Sequence, residues 1–270
     1  TRSTTVRWLN EHKDEAEDKL SFVFKHNIEG IKNLILKAST LPKSRRMCRI
    51  SSPILPVATQ ADWRYYWNKP DIIKYCEKHF AEAGDLARLH DVKISFHPGQ
   101  FTVLASETPD IVDRSIDEFE YHVNMARWMG FGKSFQDGCK INVHISGKQG
   151  PAGIIKVLSR LSPEARNLIT IENDEMCWGL DASLELEKHC ALVLDIHHHW
   201  VRTGEYLQAT DDRVKRVVDS WRGVRPTMHY SYSRDEWLTP AYSDVDTMHT
   251  GFHDMETLLS KGCKKQKLRA

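Results

Sequence analysis

The chain has 270 residues, 40% of them hydrophobic and 28% charged, which bounds it to one α/β barrel or two smaller globular domains. Its formal net charge of +1 neither demands nor excludes a nucleic-acid partner, so any such contact must come from a local patch such as Lys43, Arg45, Arg46 and Arg49. No apolar run approaches the roughly 20 residues of a membrane span, the polar start TRSTTVRWLN is no signal peptide, and the six cysteines contain no CxxC pair, which excludes an integral helix, a zinc ribbon and a redox motif.

Helical spacing runs over residues 4–12 and 14–40, where Leu20, Phe22, Val23, Phe24, Ile28, Ile31, Leu34 and Ile35 recur until Leu41-Pro42 stops them. Residues 46–51 read as a strand ending in a Ser-Ser-Pro turn. Pro70 then introduces a helix over 71–90. A strand over 92–96 is broken by Pro98-Gly99, and a helix over 109–129 stops at Gly130. Further strands are expected over 139–145, 168–171, 191–196 and, weakly, 225–230. Helices over 152–161, 182–189 and 210–218 separate them. The alternation implies a parallel sheet in a single domain over 1–270. It gives six strands, where a closed barrel of this kind has eight.

Six metal-ligand side chains stand at the ends of these strands. They are His97 in ISFHPGQF, His144 in INVHISG, Glu172 in ITIEND, Asp195 and His198 in LVLDIHHH, and His229 in PTMHYS. A parallel α/β barrel builds its active site at that mouth. Scattered core and surface histidines are the plain alternative, but packing alone does not readily give six equivalent placements. Four imidazoles and two carboxylates exceed the three protein ligands usual for one catalytic zinc. Two or more ions, bridged by a carboxylate such as Glu172, account for them better. Paired ions suit displacement at phosphorus, so the chemistry leans toward phosphodiester hydrolysis. A metal-dependent sugar isomerase or epimerase of the same barrel type is the competitor, although its pocket is richer in carboxylates.

HPGQF, NVHISG, ENDE, DIHHH and MHYS occur in this order, and with CRISS ahead of them the chain resembles the UV damage endonuclease family. These proteins are relatives of endonuclease IV among the xylose-isomerase-like barrels. The resemblance runs over nearly the whole chain, and HPGQF followed by VLAS is its most specific piece. It implies an α/β fold, a TIM-type (β/α)8 barrel. It implies metal ligation by His97, His144, Glu172, Asp195, His198 and His229, with Glu172, His97 and His229 central to catalysis. The expected cofactor is two to three divalent ions, manganese first and zinc second. The expected reaction is incision 5′ to a UV photoproduct in double-stranded DNA. Gln100 and Phe101 match the family's wedge pair of Gln and Tyr; Phe keeps the stacking face and loses the hydroxyl. The plain role for Phe101 is a core aromatic under the loop. A monomer in the cytoplasm, or the nucleus of a eukaryote, with no membrane partner completes the expectation.

Three departures stand out. Thr227 occupies the place of a family Lys that helps to hold metal. A Gly-Tyr first strand and a last strand with a His-Ser-Asp-Tyr motif have no match, so the expected barrel lacks its first and last strands and the native protein is longer at both ends. His249 and His253 are then candidate substitutes for a missing ligand. A chain without essential ligands would be a non-cutting damage-binding protein. Strand alternation would point His197 and His199 away from the pocket. Asn142, Asn173, Asp174 and Glu175 are candidates for orienting the ligands. Trp63, Tyr65, Tyr66 and Trp67 either line a DNA groove or pack a loop. His79, His90, His122 and His189 carry no assigned chemistry.

Overall fold

The computed structural model describes residues 1–99 and 101–231; Gln100, His249, His253 and Cys263 lie outside them. Helices α1 (Val6–Glu11) and α2 (Ala16–Ser39) lead into strand β1 (Met47–Ile50). Parallel neighbours need long crossovers, and helices supply them. α3 (Arg64–Trp67) and α4 (Pro70–Leu89) precede β2 (Lys93–Phe96), and α5 (Pro109–Trp128) precedes β3 (Lys140–His144). α6 (Gly150–Leu158) and α7 (Pro163–Leu168) lead to β4 (Ile169–Glu172), and α8 (Leu180–Leu184) leads to β5 (Ala191–Asp195). α9 (Ile196–Thr203) and α10 (Asp212–Asp219) lead to β6 (Met228–His229).

The six strands pair in chain order, all parallel. A flat sheet of six would hold β1 and β6 roughly 24 Å apart. Instead the Arg225 guanidinium, just ahead of β6, donates to the carbonyls of Lys43 and Arg46, just ahead of β1, at 3.0 Å each. The sheet is therefore curled, as in a TIM-type barrel lacking some of its strands.

Alternation along each strand sorts the side chains. Ile94, Phe96, Ile141, Val143, Ile169, Ile171, Leu192 and Leu194 belong to the large core shared with the helices. Ala191 and Val193 belong to a separate cluster with Phe135 and Trp221, which fills the concave side. Residues of the same parity as the candidate ligands share that concave side: Lys93 and Ser95 below His97, Lys140 and Asn142 below His144, Thr170 below Glu172.

Several element bounds differ from expectation. Phe22 and Leu34 are exposed, while the buried stripe of α2 runs through Leu20, Phe24, Ile28, Ile31 and Ile35. The helix expected over 182–189 is only Leu180–Leu184, and α7 was not anticipated. Trp63, Tyr66 and Trp67 are buried, so the aromatic cluster packs the loop; Tyr65 alone is exposed, its hydroxyl on Glu17. The five described cysteines are free, and only Cys177 is exposed. No helix among the described residues is long and apolar enough to cross a membrane.

Candidate metal centre

The centre is built around Glu172, the last residue of β4, whose side chain is 1% exposed. Thr170, two residues earlier on the same face, donates its hydroxyl to Asn142 Oδ1 at 3.0 Å. The Asn142 amide in turn donates to Glu172 Oε2. His97 Nε2 lies 3.4 Å and His144 Nε2 3.9 Å from that oxygen. The other oxygen, Oε1, has His229 Nδ1 at 2.7 Å and His198 Nδ1 at 3.7 Å. Asp195 Oδ2 completes this side, 3.5 Å from His229 Nδ1 and 3.7 Å from His198 Nε2. The structure thus brings all six sequence-derived ligand candidates to one mouth of the barrel.

Supporting bonds fix the imidazoles. A carbonyl only accepts, so His97 Nδ1 donates to Pro98 O at 2.9 Å and turns Nε2 toward Glu172. His198 Nδ1 donates to Asn173 O at 2.9 Å, leaving Nε2 toward Asp195 and Glu175. His144 Nδ1 lies 3.6 Å from Asp174 Oδ2. Metal-ligating histidines are held in this way, by an acceptor on the far nitrogen. Buried Asn173 ties β4 to β5 like a strand residue: its amide donates to Asp195 O and its oxygen accepts from Asp195 N.

Charge is concentrated here. Burial pushes the Glu172 carboxyl up, but the hydrogen bonds from His229 and His97 override it and hold it well below the usual range. Asp195 and Glu172 raise His229 to about 9. Burial lowers His144, yet Asp174 and Glu172 lift it above its ordinary value. Imidazole nitrogens aimed at a carboxylate need a cation between them, a proton or a metal ion. The donor atoms fit an ion in two groups, each within 4.8 Å: His97, His144 and Glu172, and Glu172, Asp195 and His229. Glu172 belongs to both.

The family model described as UV-endonuclease UvdE matches residues 1–266. The chain belongs to this UvdE family. The UV DNA damage endonuclease of Bacillus pumilus (strain SAFR-032) is 28% identical over 252 residues, covering 89% of this chain and 74% of that protein. The UV-damage endonuclease of Schizosaccharomyces pombe is 28% identical over 199 residues, covering 69% of this chain and 32% of that one. The crystal structure of SacUVDE matches with a TM-score of 0.71 over 86% of this chain and 75% of that one; at 24% identity this is a likeness of fold.

In this UvdE chain, the loop after His97 carries Phe101 at 85% exposure, so the ring is not core under the loop. Its partner Gln100 lies outside the described residues. Strand alternation does not set the orientation of His197 and His199, because β5 stops at Asp195 and α9 begins at once. Asp195 caps that helix, its carboxylate accepting from His198 N at 2.9 Å. His199 is buried with Nε2 3.2 Å from Glu205, and His197 stacks on Trp200. Thr227 presents a buried hydroxyl with no hydrogen-bond partner among the described residues.

His122, given no role from sequence, supports the His97 loop. Its Nδ1 donates to Glu118 O at 2.7 Å and its Nε2 lies 3.0 Å from Ser52 Oγ, which is 2.9 Å from His97 O. Burial lowers it to about 4, so the ring is neutral near pH 7. No local pattern announces this, because Ser52 and His122 meet across 70 residues.

Proposed function

We propose that this UvdE-family chain is a metal-dependent endonuclease that cuts the DNA backbone 5′ to UV photoproducts in double-stranded DNA. The observation that carries the reading is the division of Glu172: one oxygen faces His97 and His144, the other His229, His198 and Asp195. A carboxylate with a separate donor group on each oxygen suits a bridge between two sites. Two to three divalent ions, manganese first, would be held there, activating water and neutralising charge at the phosphate.

The chain's own residues prepare the site. Thr170 and Asn142 fix the Glu172 plane, Pro98 O and Asn173 O fix the His97 and His198 rings, and Asp174 lies beside His144. Without an ion, the proton on His229 offsets the paired charges of Glu172 and Asp195. Ion binding on that side requires His229 to give up the proton. Phe101, with Gln100, is read as the wedge that stacks in the duplex beside the lesion, its exposed ring costing no core packing.

Nicking of UV-irradiated plasmid tests the proposal. Wild-type protein with manganese should convert supercoiled to open-circular DNA, and chelator should stop it. Undamaged plasmid should remain intact. Undiminished nicking in chelator would overturn the metal requirement; binding of damaged DNA without nicking would make the chain a damage-binding protein.

A further inference from the structure

The opposite end of the barrel carries a second concentration of charge. Lys93 opens β2 and His97 follows its end, so the two lie roughly 13 Å apart along the strand direction. Around Lys93 is a cleft of about 620 Å³, lined in part by Arg88, Phe131, Asp137, Arg222 and Arg225. Lys140 is buried close by, at the start of β3.

Most of the cations in and beside this cleft lack counter-ions among the described residues; Arg88, paired with Asp85, is the exception. Among the described residues, Lys93, Lys140, Arg222 and Arg225 form no ion pair with a carboxylate. They rest on carbonyls and rings. Lys93 Nζ donates to Arg225 O and lies 4.2 Å from the Trp221 centroid. Lys140 Nζ donates to Phe135 O and Asn167 O, at 2.8 and 2.7 Å. Arg222 lies 4.6 Å over the Phe135 ring. Arg225 spends one N–H from each of two nitrogens on the Lys43 and Arg46 carbonyls and keeps further donors. Arg88 is held by Met129 O and Asp85. The two carboxylates that line the cleft also hold other groups: Asp91 lies 3.8 Å from Lys43, and Asp137, whose charge also acts on Lys140, accepts from Ser134 N and Oγ.

Carbonyls and π faces orient cations without neutralising them. Burial, and to a lesser extent Arg225 and Lys140, depress Lys93 to about 7. A solvated basic face would not bury Lys93 to 8% and Lys140 to 2% exposure. Pinned guanidiniums with donors to spare, in a concave site, match the tetrahedral oxygens of phosphate.

We propose that this cleft at the strand-start end of the barrel binds a phosphate-type oxyanion, either free or at the end of a nucleic acid. The site is separate from the metal centre and does not depend on the incision activity.

The probe is inorganic phosphate, titrated calorimetrically into the whole protein at fixed ionic strength with chelator present, so that no metal-held phosphate contributes. Wild type should bind it saturably. Arg222→Asn should weaken binding by about tenfold or more, the loss expected for one charge-assisted contact. Arg222 is exposed and has φ of 51°, which Asn tolerates, so this variant should fold. Lys93→Met is the second variant, with circular dichroism checking both. A 5′-phosphorylated oligonucleotide that binds more tightly than both its unphosphorylated twin and free phosphate identifies a nucleic-acid end; equal binding of the two oligonucleotides, with free phosphate saturable, identifies a free anion. No saturable phosphate binding by wild type, or equal affinity in a folded variant, overturns the proposal.

Discussion

His229 Nδ1 lies 2.7 Å from Glu172 Oε1 and 3.5 Å from Asp195 Oδ2, so one imidazole joins the last described strand to the two before it. This contact raises His229 to about 9. In the ion-free chain a raised histidine contributes stability that is fully present below its unfolded value near 6.5 and is lost as pH rises through about 9.

The same proton opposes metal binding. Manganese affinity should therefore rise with pH up to about 9, by roughly tenfold per unit for one displaced proton. Calorimetric titrations at several pH values check this, with protons released in proportion. An affinity indifferent to pH would remove His229 from the ligand set.

Glu172→Gln keeps nearly the same volume and removes the charge that both donor groups share. Incision of UV-irradiated plasmid should fall by on the order of 10³-fold or more, with the circular dichroism spectrum unchanged. Wild-type nicking by the variant would refute the bridging assignment.

Phe101→Ala should weaken binding to lesion-bearing duplex by about 1–3 kcal/mol, the usual worth of a stacked ring. Undamaged duplex should be affected much less. Fluorescence anisotropy on the paired oligonucleotides measures the difference, and an equal loss on both would make the ring structural.

Lys93 gives a prediction of opposite sign to His229. Its folded value near 7 is below the unfolded 10.5, so the unfolded chain binds more protons between them. This group's contribution is least favourable below pH 7 and improves as pH rises toward 10.5. Lys93→Met should abolish that improvement, a change on the order of a few kcal/mol across the window. Urea unfolding of both proteins at pH 7 and pH 10 gives the comparison, and parallel pH profiles would contradict it.

The ligand mouth was legible because strand alternation and strand-end position are local properties: His97, His144 and Glu172 each follow an apolar run of period two. His198 reached the site by another route. Asp195 preceding Ile-His-His-His-Trp is a helix N-cap signal, and the first turn of α9 aims His198 inward. Reading that stretch as strand placed His198 at the site for a reason other than the one the helix supplies. Lys93 and Lys140 were not legible at all. A lysine at a strand start reads as solvated, and only curling of the sheet over Trp221 and Phe135 buries it. Ser52 and His122 escaped notice for the same reason, since their contact exists only once distant segments meet.

The Arg225 clasp sets an order of assembly. It joins segments 182 residues apart in sequence, whereas β1 to β5 each pair with the strand next in the chain. Closing so long a loop is entropically late. The pairings that carry the donors, Asp195 with His229 included, are between strands adjacent in the chain, so the centre assembles before the clasp fixes the curl of the sheet. An ion shared by Glu172, Asp195 and His229 would tie β6 to β4 as well as to β5, and so would slow the fraying of the last described strand.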